Sequence, residues 1–479
     1  MSAKENFIPV DSDVNDYLAQ TRIFLDNEIA DLFKEFKLSS LLKIANIIKR
    51  SGHPVYQIAY DLFLIPFLAI PNVFLFAREQ FEKADSEKNR FYRFLENAKF
   101  NWRQFQLNLS KDADRKIQRG PEQELFFVID DTMTQVTGKL VELASYIYDH
   151  TIGKTVLGFQ KLVLGLFDGH HFIPIGERIC VGKKRPKAKT KAKKYKKIPK
   201  AQRIASDSPG SLERAEIDQT KLEKALSMLK TAIKKGFSAK TVLFDSWYCF
   251  NCFIVKIVET VKLHVICQLK NMPKTNKYLY KGKRYSLKEL FGYVAKPKLR
   301  MVKKYQFKQA VLIVAIPNSK VKLKIVFVQN EGAEKWHAFA ATETKLTAKK
   351  ILEAYSKRWS IEVFFKNCKQ YLNYGKEQMS NLDSIIASDA MVFMRYTLLT
   401  CLASKQKARF YEKFDTLRSI QKMRCFGMRL LQYFLNKLQY IIREVCQLIE
   451  NDQQEKALKL LKNLVHYSEN PDPIAANLK

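Results

Sequence analysis

Acid is what this chain is short of. Against 83 lysines and arginines stand 48 aspartates and glutamates, a formal charge of +35 over 479 residues. A surplus of that size attracts a polyanion and holds it through counterion release, so the partner is nucleic acid or an anionic surface. Cysteine is sparse too. The eight (Cys180, Cys249, Cys252, Cys267, Cys368, Cys401, Cys425 and Cys446) are scattered, which excludes a disulfide framework and fits a reducing compartment. The most apolar run, residues 62–77, holds only sixteen residues with Pro66 and Pro71 inside it. That is too short and too broken for a membrane span, and it reads as core. The opening MSAKENFIPVDSD has no basic segment followed by an apolar one, so no secretory signal is expected and the expected location is the cytoplasm.

What is present is a large apolar fraction, 47 %, enough to build a sizeable core in roughly two to four domains. Helical periodicity fills residues 13–115, including VNDYLAQTRIFLDNEIADLFKEF, SSLLKIANIIKRSG and the basic aromatic stretch NRFYRFLENAKFNWRQFQ. The last of these, with Arg90, Tyr92, Arg93, Lys99, Trp102 and Arg103, reads either as a DNA-end recognition helix or as an ordinary amphipathic one. LFFVIDD (125–131) and KTVLFD (240–245) are buried-strand patterns ending in aspartate, and KLVLGLFDGHHFIPIGERIC (161–180) predicts a hairpin about Asp168-Gly169. His170 and His171 beside that turn read as loop and strand surface. SLERAEIDQTKLEKALSMLKTAIKKG (211–236) predicts an amphipathic helix, and residues 268–331 alternate in short strand-like segments.

The run at 183–203 carries twelve cations and no acid, and without it the chain still carries +23. Such a run is a solvated loop or, beside a nucleic-acid groove, a clamp on phosphates. Cys249-x2-Cys252 with His264-x2-Cys267 has finger-like spacing. HVICQLK reads as a strand, where residues three apart face opposite ways, so buried free thiols are preferred to a zinc site.

Residues 355–372, YSKRWSIEVFFKNCKQYL, carry the sharpest signal. At about 100° per residue one helix puts Tyr355, Arg358, Glu362, Lys366 and Lys369 on one face, with Ile361, Phe364, Phe365 and Cys368 to its side for packing on a sheet. Read alone, the face is solvated and holds an Arg358–Glu362 pair. Asp130 and Asp245 at strand ends add two carboxylates able to converge on it, and three acids at one point call for divalent cations, the machinery of phosphodiester displacement.

Tyr355-x2-Arg358-x3-Glu362-x6-Lys369 resembles, without a gap, the Y-x2-R-x3-E-x6-K signature of the DDE transposases of insertion sequence family four. Asp130 in VIDDT resembles the first catalytic aspartate of that family, two residues before a Thr, and Asp245 in LFDSWY the second; the likeness covers about residues 120–380. The resemblance implies an α/β RNase H-like core with a β-rich insertion between second Asp and Glu, flanked by helical N-terminal and C-terminal regions. The implied domains are 1–118 (helical, DNA-binding), 119–270 (first part of the core, with the basic loop), 271–334 (insertion), 335–382 (second part, with the signature helix) and 383–479 (helical). It further implies two Mg²⁺ ions, or Mn²⁺ in their place, on Asp130, Asp245 and Glu362, with Tyr355, Arg358 and Lys369 gripping phosphates; Lys366, on the same helix face, is a further candidate DNA contact. Trp336 and Trp359 stand where the family has its base-flipping and stacking tryptophans; the other reading of both is core. Implied partners are double-stranded DNA, as transposon ends and target, and a second copy in a DNA-bound homodimer, with no membrane and a nucleoid-associated place in the cytoplasm. Alternatives are an RNase H-fold endonuclease or resolvase without strand transfer, and a non-catalytic DNA-binding relative.

Overall fold

A computed structural model describes residues 27–415 and 418, apart from 69, 71, 81–83, 121, 150–151, 183–206, 303–305, 377–378 and 411. The basic run at 183–203, the helical pattern before residue 27 and the expected C-terminal helices beyond 415 lie outside the described residues. Arg418 aside, the described residues belong to one compact unit, Met1–Thr416.

The amino-terminal part is helical: α1 (Asn27–Glu35), α2 (Leu38–Ile44), α3 (Val55–Leu64), α4 (Val73–Gln80), α5 (Ala84–Leu95) and α6 (Trp102–Lys116). Their core is aromatic. Phe33 meets Tyr56, Tyr60 and Phe63 edge-on at 5.2–5.6 Å, the geometry ring quadrupoles favour. The apolar run at 62–77 ends α3, turns, and starts α4, with Leu62, Phe63, Phe67 and Phe76 buried. The basic aromatic stretch expected as one helix is two, because the Asn101 side chain accepts from the Gln104 amide and caps a fresh start at Trp102.

Twelve strands form one mixed sheet among the described residues. β1 (Phe126–Gln135) lies antiparallel to β3 (Lys154–Phe167), which also carries β2 (Ser145–Asp149) and β4 (Phe172–Cys180). On its other side β1 runs parallel to β5 (Thr241–Phe244), and β5 parallel to β6 (His264–Leu269). β3 and β4 are the expected hairpin, its turn fixed by Asp168, whose carboxylate accepts from the amides of His170 and His171 at 2.9 and 2.7 Å. Between β4 and β5 the single helix expected at 211–236 is also two, α7 (Pro209–Ala215) and α8 (Lys221–Lys234). Thr220 and Glu223 form a capping box that begins α8 anew.

After β5 come α9 (Asn251–Lys256) and β6, then the alternating segments. β7 (Tyr278–Tyr280) and β8 (Lys283–Tyr285) form a hairpin whose turn, Lys281-Gly282, has φ of 46° and 79°, the two positive values a type I′ turn needs. The short helix α10 (Leu287–Glu289) and then the strands β9 (Arg300–Val302), β10 (Phe307–Ala315) and β11 (Lys322–Asn330) follow. These strands continue the same sheet: β11 pairs with β12 (Trp336–Ala341), and β12 with β6. The chain then forms α11 (Ala348–Ser356), α12 (Trp359–Tyr371) and α13 (Leu382–Lys405). α13 is, among the described residues, the one helix long and apolar enough to cross a membrane, and 89 % of its apolar window is buried inside the fold. It packs on α6 and β4. Its Asp389 meets the fully buried Lys161 ammonium at 2.7 Å.

Candidate active site

Strand lengths decide where the carboxylates stand. β5 stops at Phe244, opposite Ile129, so Asp130 and Asp245 are the residues that follow the last pair of two neighbouring parallel strands. The pattern predicts Asp130 at the end of its strand, and the structure places it mid-strand. β1 runs on to Gln135 because β3 pairs with it residue by residue, Asp130 opposite Val163 and Gln135 opposite Gly158. What ends at Asp130 is the parallel pairing, which leaves that edge of β1 open.

The adjacent Asp131 faces the other way, as strand alternation requires. Its carboxylate accepts from Lys221 Nζ at 2.9 Å and from the Tyr248 hydroxyl and Gln160 amide. Asp130 is thus the member of the pair that meets Arg358.

The signature segment is not one helix. α11 ends at Ser356 and α12 begins at Trp359, and between them the amides of Lys357 and Arg358 bond three residues back, to Ala354 at 3.2 Å and Tyr355 at 3.0 Å. This tightened turn has a cause on each side. Tyr355 is held by the sheet, its ring 4.9 Å from Phe339 and its hydroxyl donating to Gln268 Oε1 at 3.2 Å. α12 is held by its own apolar face: Ile361, Phe364, Phe365 and Cys368 are buried, and Phe364 lies 4.9 Å from Phe172 and 4.7 Å from Tyr396.

Arg358 links the two halves of the site. Its Nη1 donates to Asp130 Oδ2 at 3.0 Å and its Nη2 to Glu362 Oε1. Burial and the neighbouring Asp245 push the Asp130 carboxyl up to about 7 against the opposing pull of Arg358, and burial likewise raises Asp245.

Hard carboxylate oxygens suit Mg²⁺ or Mn²⁺ by chemistry. By geometry the fit is incomplete. Among the described residues no three of His, Cys, Asp and Glu are grouped closely enough to hold a metal ion. Glu362 is turned onto Arg358, and Asp245 Oδ1 accepts the Trp247 amide at 3.0 Å.

The remaining sequence-predicted residues are dispersed. Lys366 is exposed on α12, whereas Lys369 is half-buried and donates to the Met133 carbonyl at 2.9 Å, with burial lowering its pKa. Trp359 is 60 % exposed. Trp336 instead stacks on Phe291 at 4.3 Å and leans on Phe327 at 5.7 Å. Of the amino-terminal residues, Trp102 is buried, Arg90 is paired with Asp61 at 3.0 Å and Arg103 with Glu216 at 2.8 Å, while Tyr92, Arg93 and Lys99 are exposed. Cys249 and Cys267 are buried and Cys252 exposed. Trp247 was not singled out by sequence pattern, although it stands two residues past Asp245. It is 44 % exposed, with Lys221 Nζ 3.6 Å from its ring centre.

Two family models match the chain. Residues 76–274 match that of the DDE superfamily endonuclease, and residues 200–406 that of the archaeal putative transposase ISC1217. The first stretch includes Asp130 and Asp245, the second Asp245 and Glu362. The first match implies an RNase H-like fold, and the two together support a transposase-like nuclease of the DDE type. No curated protein matches.

Proposed function

We propose that the chain is a DNA transposase of the insertion sequence family four kind, cutting transposon ends and joining them to target DNA by hydrolysis and strand transfer through a hairpin intermediate. One observation carries the reading: Asp130 and Asp245 stand side by side where β1 and β5 part, and Arg358 ties Asp130 to Glu362 across the same opening.

Asp130, Asp245 and Glu362 are the residues that would hold Mg²⁺ or Mn²⁺, and such ions would supply positive charge to a phosphodiester undergoing displacement. The chain's own residues do the rest. Arg358 offers a planar fork that matches a phosphate, and Lys366, exposed on α12, offers a point charge. Tyr355, braced between Phe339 and Gln268, fixes where the turn carrying Arg358 sits. Lys369 holds β1 through the Met133 carbonyl and so keeps α12 in register with Asp130. Trp359, exposed on α12, serves a DNA base in this reading, whereas Trp336 keeps its place against Phe291 and Phe327. The active form is a DNA-bound homodimer working at the nucleoid in the cytoplasm.

The test incubates the protein with Mg²⁺, a linear fragment bearing candidate terminal repeats, and a target plasmid. Fragment joined to plasmid supports the transposase. Nicks without joining favour a stand-alone nuclease on the same core.

A further inference from the structure

Resting on that reading, we infer that Arg358 is a latch: it keeps the carboxylate site closed to divalent cations until a DNA phosphate draws it away. Both oxygens of Asp130 and one of Glu362 are in use. Asp130 Oδ2 and Glu362 Oε1 both accept from the Arg358 guanidinium, and Asp130 Oδ1 accepts the Asp131 amide at 2.8 Å. A guanidinium standing between two carboxylates supplies part of the charge an ion would supply, and in a partly buried site the two cations repel each other strongly. They compete for one place.

Arg358 is also incompletely satisfied. Its side chain is 13 % exposed, and among the described residues its Nε is buried without a hydrogen-bond partner. A buried donor left unmade carries a cost that a better acceptor removes. A phosphodiester offers two anionic oxygens to the fork, a geometry guanidinium matches bidentately, and so can satisfy what the two carboxylates do not. Arg358 lies in the turn between α11 and α12, so its side chain can leave the carboxylates with the apolar face of α12 undisturbed.

Loss of the guanidinium frees Asp130 and Glu362 together. DNA and metal then bind cooperatively, and by linkage each tightens the other by the same factor. Such a device keeps the nuclease centre unloaded when no strand lies across it.

The experiment follows Mn²⁺ binding to the full chain by electron paramagnetic resonance, with no turnover needed. For the wild-type protein, saturating short duplex is expected to tighten Mn²⁺ binding about 5- to 150-fold, the usual range of coupling between sites. For Arg358→Gln without DNA, Mn²⁺ is expected to bind tighter than to the DNA-free wild type, with little further gain from duplex. An unchanged Mn²⁺ affinity of the wild type on adding duplex overturns the latch, and that arm needs no variant to fold. Equal affinities of the DNA-free wild type and a folded Arg358→Gln overturn it too. Asp245→Asn separates this from the wider reading: if it leaves all Mn²⁺ binding unaltered, the metal site itself is wrong, whereas a loss of binding with no DNA coupling condemns only the latch.

Discussion

At the scale of the residue, the fold depends on a few carboxylates whose surroundings are unequal. Burial alone would raise Asp168, but hydrogen bonds from His171, His170 and Arg119 outweigh it and hold the carboxyl below the usual aspartate range. A group depressed in the folded chain adds stability above its unfolded pKa, near 3.9 for aspartate, and loses it as pH falls toward the folded value. Asp168→Asn is therefore expected to destabilise the protein by roughly 2–3 kcal/mol at neutral pH, the scale of charge-assisted hydrogen bonds, with the gap to wild type narrowing below about pH 4. Urea unfolding at both pH values checks it, and a gap of equal size at each speaks against the assignment. The candidate residues are largely legible as letters: strand-end patterns, a helix face and a family resemblance single out Asp130, Asp245, Arg358 and Glu362, and in the structure the Arg358 guanidinium joins Asp130 to Glu362 while Asp245 follows the strand beside Asp130. Their pairing was not legible, because nothing in the order of residues says that the guanidinium sits between Asp130 and Glu362. Trp247 was missed although it follows Asp245 closely, since exposure depends on the loop's path and not on its composition.

At the scale of the element, strands and helices were readable and their ends were not. Three stretches expected as single helices are each broken. Two of the breaks, at Asn101 and Thr220, come from capping side chains, and the third, at Lys357 and Arg358, comes from Tyr355 and α12 being anchored separately. A helical wheel assumes one constant rotation per residue and cannot register such anchoring. β1 outruns its expected end because its length is set by β3, more than twenty residues away in sequence. The seating of α12 on the sheet offers a test. A Cβ on Gly165 would lie 2.0 Å from the Phe172 ring, which is itself packed against Phe364 of α12. Gly165→Ala is expected to cost about 1–3 kcal/mol or more through overpacking and to lower DNA cleavage as α12 shifts. Gly176→Ala on β4 meets open space and should leave both unchanged. Thermal unfolding and a cleavage assay read the pair; equal behaviour of the two variants would mean that Phe172 does not carry α12.

At the scale of the whole molecule, the surplus of +35 is expected to govern association with a polyanion. Affinity for duplex DNA is expected to fall steeply with salt, the logarithmic slope growing by about −0.9 for each phosphate neutralised. Replacing the twelve cations of residues 183–203 by neutral residues should flatten that slope if the run clamps phosphates, and filter binding across a salt series would expose an unchanged slope if it is only a solvated stretch. Above these effects stands the claim that Asp130, Asp245 and Glu362 act as one centre. Its most direct measurement is Mg²⁺-dependent cleavage of end-bearing DNA by Asp130→Asn, Asp245→Asn, Glu362→Gln and their pairwise combinations, alongside DNA affinity. The account predicts that each single change abolishes cleavage, that pairs are no worse than singles because the three work as a unit, and that DNA binding persists. Any one of the three variants, folded and DNA-bound, cutting at the wild-type rate would contradict it.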